Sequence, residues 1–409
     1  MSYRFLKITT FYRDYLNYYY GKNKYEDKKS YIEQYNNLMY DSFGWANFFQ
    51  KNLSKLGIDA YEIVYNAIPL QRAWAAEHGT NLEGKELLLY QIKVIKPDVI
   101  LFQDSNLFNG DWIKFLREQI PSVKLISGWC CSPFTQKQLS LNKSYDFMLT
   151  CSPLFDKQFK EYGLKSFQLK HAFDPDILKK INFNERKQTI DFLFTGSFVQ
   201  SSDFHNERTQ IIEELINSGI NIKLFSKLNI DSPAILFSKQ VSYLLVKIFL
   251  ALGFEKIIDR SLTLKKFTTL NEMPGNPNFS NRLRNIVEKP LYGLDMFKIL
   301  AGSKISLNIH GGVAGNYAAN MRLFEATGAG SCLITDWKKN LNEIFEIDKE
   351  VVAFKTAEEC VEKVRWLLNH STEREKIARA GQNRVLKDHT FEIRANQLNE
   401  IINQELNKN

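Results

Sequence analysis

Apolar residues along the chain recur in two alternating rhythms. RFLKITTFY, AYEIVYN, VILFQ, VKLISGW, DFMLT and SFQLKH are short runs rich in β-branched and aromatic residues, and they predict strands. Between them, SFGWANFFQKNLSKLG, KELLLYQIKVIKPD and WIKFLREQI space their apolar residues three and four apart, which predicts helices. The first of these closes on Gly57 and the second stops before Pro97. Such alternation predicts a parallel sheet with helices on its faces. The Tyr- and Lys-rich stretch from Asp14 to Tyr40 follows neither rhythm cleanly and fits either an acceptor-binding lid or a surface helix. HAFDPDIL, His171 to Leu178, marks the end of this first unit.

A second unit opens with IDFLFTGSF, a strand running into a glycine turn, then the helix ERTQIIEELINSG and the strand NIKLFS. That order starts a nucleotide-type fold. From Asp231 to Arg284 it is interrupted by the apolar stretch SKQVSYLLVKIFLALGFEKIIDRSL and the Pro/Gly/Asn-rich loop NEMPGNPNFSN. It resumes with LDMFKILAGS as a helix, KISLNIH and SCLIT as strands, and helices from Thr356 onward. The expectation is an α/β protein of two Rossmann-like domains facing a cleft. The first covers 1–180 and the second 181–387, with a helical insertion at about 232–285 and a last helix in 388–409.

The length of 409 residues fits two or three domains. An apolar fraction of 44% with 24% charged residues is that of a globular chain. The net charge of +8 suits anionic small molecules or an acidic membrane surface. No dense Lys/Arg block or nucleic-acid module stands in the sequence, so no nucleic-acid partner is expected. Five scattered cysteines without a CxxC pair suggest neither a zinc site nor a disulfide framework. Met1–Tyr20 lacks the charged-then-apolar pattern of a signal peptide, which leads to the expectation of a reducing, cytoplasmic location.

The longest apolar run, VSYLLVKIFLALGF, contains Lys247 and is shorter than the ~20 residues of a spanning helix, so it is not expected to cross a membrane. With Lys239, Lys247, Lys256 and Arg260 around it, the insertion fits a basic amphipathic helix lying at the inner face of an anionic membrane. A helical hairpin packed on the second domain fits the same pattern.

Chemistry concentrates in NIHGGVAGNYAANMRLFEATGAGSCLITD, Asn308 to Asp336. The glycines Gly311, Gly312 and Gly315 follow a strand and allow backbone N–H groups to approach a ligand. Asn320 stands where a helix would be capped. Arg322 and Glu325 share one face of that helix. A helix N-terminus beside a glycine loop attracts phosphate, Arg offers a fork suited to a diphosphate, and a carboxylate accepts hydrogen bonds from two ribose hydroxyls. The alternative is that Arg322 and Glu325 form a solvated pair worth ~0.2–0.5 kcal/mol, with the glycines as turn formers.

NMRLFEATGAGSCLITD, together with the later AGQNRVLKDHTFEIRA, resembles the C-terminal domain of the glycosyl transferases group 1 superfamily, in a branch similar to the spore-maturation-type glycosyltransferases. The resemblance is specific from about Asp295 to Arg394, weaker from Ile190 to Ser226, and only topological before that. It implies the GT-B fold, with a nucleotide-sugar donor held by the second domain and the acceptor by the first. It also implies ribose binding by Glu325, donor contacts from the glycine loop, and a last helix that crosses back to the first domain. Where many retaining members carry a first glutamate, eight positions before the second, this chain has Tyr317.

Other candidates follow from topology. Gly196 and Ser197 stand at the end of the second domain's first strand, where open parallel sheets bind ligands, and Arg208 would neutralise phosphate there. Ordinary turn and surface roles are the alternative for all three, and Lys227 is similar. His310 would touch donor sugar or phosphate, or else simply bond to backbone. Asp104, at a strand end, and His78, in an expected loop, are the candidates for a general base toward the acceptor hydroxyl. Trp129, Cys130 and Cys131 would line the cleft or belong to the core, and His389 would anchor the last helix.

No DxD-type pair stands in a strand–loop setting, so neither a metal nor another cofactor is expected. The expected activity is metal-independent, hexosyltransferase-type transfer from a nucleotide-diphosphate sugar to a glycan or glycolipid acceptor in cell-surface synthesis. The alternatives are a sugar-nucleotide 2-epimerase of the same fold and a non-catalytic nucleotide-sugar or glycan-binding component of a polysaccharide assembly complex.

Overall fold

Apolar runs long enough for one strand each have paired into two separate sheets in the computed structural model. The structure describes residues 2–108, 110–198, 206–228, 230–254, 258, 261, 264, 266–268, 270, 272–276, 279–310 and 312–408. The first sheet contains β1 (Arg4–Thr9), β2 (Asp59–Val64), β3 (Val99–Phe102), β4 (Leu125–Trp129), β5 (Phe147–Thr150) and β6 (Ser166–Gln168), ordered β2-β1-β3-β4-β5-β6. The second contains β7 (Ile190–Thr195), β8 (Lys223–Phe225), β9 (Val287–Glu288), β10 (Ser303–Asn308), β11 (Cys332–Asp336) and β12 (Val352–Phe354), ordered β12-β11-β10-β7-β8-β9. Every pairing is parallel. Strands β3, β4 and β11 are buried along their whole length, because helices cover both faces of each sheet.

Strand order reverses between β1 and β3 in the first sheet and between β7 and β10 in the second. Connections leave such a switch point in opposite directions, so a crevice opens at the carboxyl ends of the two strands. The second sheet has the doubly wound nucleotide-binding order.

Several local features depart from the sequence pattern. Asp14–Tyr40 folds as two helices, Arg13–Lys22 and Tyr31–Tyr40, the second started by a Ser30/Glu33 capping box. The helix expected from Ser42 begins only at Phe48, because Ser42, Gly44 and Ala46 take left-handed backbone angles. Short helices Ile68–Glu77 and Pro153–Glu161, each with a proline in the first turn, and the edge strand β12 carried too little periodicity to be anticipated. The insertion contains a helix, Pro233–Ala251, begun by Ser232 and longer than the apolar run inside it. At 19 residues and a mean hydropathy of 1.5 over its most apolar window, it is long and apolar enough to cross a membrane.

The last helix, Phe391–Leu406, lies against the first domain. Phe391 packs on Phe48 (4.8 Å) and Phe49 (5.5 Å), and the Tyr3 hydroxyl donates to Asn399 Oδ1 (2.8 Å). One buried apolar cluster therefore runs from Phe5 in the first sheet, through Phe173 and Phe391, to Leu333 in the second. At Gly328, an added Cβ would stand 2.4 Å from the Phe173 ring, so only glycine lets this part of the seam close.

Candidate functional site

The carboxyl ends of the two sheets enclose a cleft of about 400 Å³. Thr10, Gln103, Asp104, Trp129 and His171 line it from the first domain, and His310, Val313, Tyr317, Asn320 and Met321 from the second. Thr10 and Asp104 follow β1 and β3, so the first domain's switch point forms one wall.

On that wall Asp104 is half-buried. Its Oδ2 accepts from the Thr10 hydroxyl (3.0 Å) and its Oδ1 from the Leu107 N–H (3.1 Å). These two donors fix the carboxylate without closing it off from the cleft. His78 stands elsewhere. It terminates the helix Ile68–Glu77, its ring stacks on Trp74 (3.6 Å), and its Nδ1 bonds to the Trp74 carbonyl (2.8 Å). An exposed residue outside the cleft cannot act as base on a ligand within it.

In the same wall, Cys131, which lines the cleft beside Trp129 and Cys130, is joined to Cys151 in a disulfide, with Cα atoms 5.8 Å apart. Their spacing of 20 residues gave no such signal, but they follow the adjacent strands β4 and β5, and the sheet brings them together. With His171 they form the only group among the described residues close enough to hold a metal ion. The donor chemistry opposes this in the present state, since both sulfurs are bonded and His171 Nδ1 accepts from Trp45 Nε1 (3.1 Å). Burial, then the charge of Arg394, pushes His171 down to about 3, so its ring is neutral with the proton on Nε2.

The opposite wall centres on His310, just past β10. Asp336 Oδ1 accepts from both the His310 backbone N–H and its Nδ1 (2.8 Å each), and Asp336 Oδ2 pairs with Lys338 Nζ (3.0 Å). Burial alone would raise the Asp336 carboxyl, yet His310 and then Lys338 hold it well below the usual carboxylate range. The anionic partner fixes the ring through Nδ1 and leaves Nε2 without any partner. A buried polar atom with none, on a ring that lines a cleft, is a vacancy for ligand contact.

The loop after His310 is clamped at both ends. Asn320 and Asn308 exchange amide hydrogen bonds (2.7 and 3.3 Å), and Asn340 binds both the N–H and the carbonyl of Ala318. Asn320 is thus not the helix cap; Met321 occupies that position, and the helix begins at Arg322. Gly315, with φ +57°, lets the loop turn toward the first domain, where Leu154 lies 3.3 Å from its would-be Cβ. Gly312 does not line the cleft and accepts from the Gly315 N–H (3.1 Å); Gly311 lies outside the described residues.

Among the described residues, the groups expected to cradle phosphate are engaged within the protein. Arg208 gives Nη1 to the Ser197 carbonyl and Nη2 to the Ile309 carbonyl (2.6 Å each), tying together the loops after β7 and β10. Burial lowers it to about 10. Gly196 and Ser197 stand outside the cleft lining, with the Gly196 N–H donated to the Phe225 carbonyl (3.3 Å). Arg322 pairs with Glu325 (2.8 Å) and touches Met296 Sδ (2.8 Å). That is the i,i+3 pair expected as the alternative, but it is largely buried rather than solvated. Burial raises the Glu325 carboxyl against the pull of Arg322. Neither side chain is in the cleft lining. Lys227 pairs with Asp14 across the domains (2.7 Å).

Sequence reasoning missed Thr10, Asp336 and Lys338. Only their strand-end positions could have marked them.

Comparison with known proteins agrees with this architecture. Residues 264–400 match the model of a family described as glycosyl transferase-like. A glycosyltransferase from Rickettsia africae ESF-5 superposes with a TM-score of 0.54 at 10% identity, over 99% of each chain. Its fold is GT-B. Anabaena Alr3699/HepE, solved in complex with UDP and glucose, gives 0.54 at 10% identity over 98% of this chain and 100% of that one. Sucrose-phosphate synthase from Thermosynechococcus elongatus gives 0.53 at 10% identity over the whole of both chains. No curated protein matches. In the GT-B frame, the cleft between Asp104 and His310 is the space between the two domains, and Tyr317 stands in its lining.

Proposed function

We propose that this GT-B protein transfers a glycosyl group from a nucleotide-diphosphate sugar to an acceptor hydroxyl in the interdomain cleft. The observation that carries the reading is one cleft lined both by His310, oriented by Asp336 and with an unpartnered Nε2, and by Asp104, an anchored carboxylate from the other domain. Protonated, His310 donates to the departing diphosphate, whose developing charge needs a positioned donor. Asp104 accepts the proton of the attacking hydroxyl. The enclosing walls exclude water and so limit hydrolysis of the donor. With these groups the transfer needs no metal. A cell-surface glycan or glycolipid is the acceptor class this reading retains.

Because a structural relative was solved with UDP and glucose, UDP-sugars are the first donors to test. A thermal-shift panel of nucleotides and nucleotide sugars should raise the melting temperature for one donor class. Asp104→Asn should keep that shift and lose transfer. A panel without any shift would overturn the proposal. The epimerase reading needs a pair of cleft carboxylates, and among the described lining residues Asp104 stands alone. Tyr317 in place of a family glutamate favours the non-catalytic reading, which donor binding without turnover of any kind would support.

A further inference from the structure

Among the described residues, the helix Pro233–Ala251 is held along one face by neighbours in and beside its own insertion. Tyr243 and Val246 are buried beneath it, Gln240 Nε2 donates to the Pro274 carbonyl (3.0 Å), and Lys239 pairs with Asp231 (2.5 Å). At 3.6 residues per turn, Phe237, Val241, Leu244, Leu245, Ile248 and Leu252 fall on the opposite side. All six are exposed, Phe237 by 68% and Leu252 by 62%. Single apolar side chains in water are ordinary, but a continuous stripe along four turns marks a surface with an apolar partner.

We propose that this stripe docks on an anionic lipid bilayer, with the helix lying in the interface. The charge pattern selects that occupant: the helix carries no acidic residue, Lys247 flanks the stripe, and the chain has a net charge of +8. A second copy of the chain fits less well. Six side chains on one helix face offer a few hundred Å², whereas a stable pair takes roughly 800 Å² from each partner. Spanning is disfavoured despite sufficient length, because the buried face and the two side tethers, to Asp231 and Pro274, hold the helix lengthwise against its own insertion. A helix held this way immerses its stripe by about 5–10 Å and leaves Lys247 at the headgroups. The helix begins soon after the carboxyl end of β8, on the sheet edge that faces the cleft, so docking would hold the cleft near the lipid surface.

The test is co-sedimentation of the full chain with sucrose-loaded vesicles, either phosphatidylcholine alone or phosphatidylcholine with phosphatidylglycerol. The expected result is binding to the mixed vesicles, weakened by salt and several-fold lower on the neutral ones. The double variant Leu244→Ser/Ile248→Ser should lose at least about tenfold of that binding while its thermal unfolding stays unchanged. Wild-type protein remaining in the supernatant with both vesicle types would overturn the proposal, as would a double variant that binds equally well. Sedimentation velocity without lipid supplies a third arm. A dimer that the same double variant dissociates would assign the stripe to a second copy instead. None of these outcomes depends on glycosyl transfer.

Discussion

Behind the cleft and across it, the same two domains meet in opposite ways. At the back, Phe173 bonds to both sides of Thr390: its N–H donates to the His389 carbonyl (3.0 Å) and its carbonyl accepts from the Phe391 N–H (3.1 Å). His389 Nε2 bonds to the Ile344 carbonyl (3.1 Å), and Arg394 reaches the Lys170 carbonyl (3.0 Å) and His389 Nδ1 (2.9 Å). At the front, His310 Nε2 has no partner. The links across the rim include exposed side-chain pairs, Lys22 and Tyr18 with Asp295 and Lys227 with Asp14, beside a bond from the Leu294 N–H to Asp41 Oδ1 (3.3 Å) and the contact of Tyr292 with Tyr15 and Phe43. A satisfied, apolar seam behind a lightly tied, unsatisfied cleft has the mechanical form of a hinge and a mouth. Stability should therefore reside at the back and binding at the front.

The strongest way to break this contrast is Phe391→Ala. Emptying the ring's place between Phe48 and Phe49 should cost about 3–5 kcal/mol in urea unfolding, with donor binding per folded molecule unchanged. An equal loss from a cleft substitution such as His310→Gln would erase the distinction.

Acid should act on the back next. Burial pushes His389 down to about 4 and His171 to about 3, below the ordinary ~6.5. The unfolded chain then binds protons that the folded chain refuses. Stability is complete above pH ~6.5 and falls as the pH drops toward 4, by roughly 3 kcal/mol for His389. Urea midpoints measured across that range should show the slope, and His389→Gln should flatten it. A slope unchanged in the variant would place the acid sensitivity elsewhere.

At the front, His310→Gln should lower turnover of the preferred donor by about a hundredfold while the melting temperature moves little. A variant with full activity would remove His310 from the chemistry. The smallest effect belongs to the rim. Asp295→Asn should cost no more than ~1 kcal/mol of stability. By loosening the mouth it should raise KM more than it lowers kcat, as steady-state kinetics would reveal.

The sequence alone determined the two α/β units, the parallel sheets and the place of the insertion. Strand and helix periodicities are local properties, written within ten or fifteen residues of each other. It also placed His310 and Asp104 at strand ends, because a residue after a buried strand must emerge at the sheet's carboxyl edge.

Only tertiary structure decided what those side chains meet. Arg208 and Arg322 look in sequence like phosphate ligands, since charge and spacing are the same whether the partner is a diphosphate, a backbone carbonyl or Glu325. Cys131 and Cys151 become a pair only because β4 and β5 lie side by side, and Asp336 meets His310 only because β11 lies beside β10. Whether the apolar residues of the insertion would be core or surface was equally undecided. The hydrophobic pattern specifies that a face must leave water, but which face reaches the protein body is set by the residues packed around it.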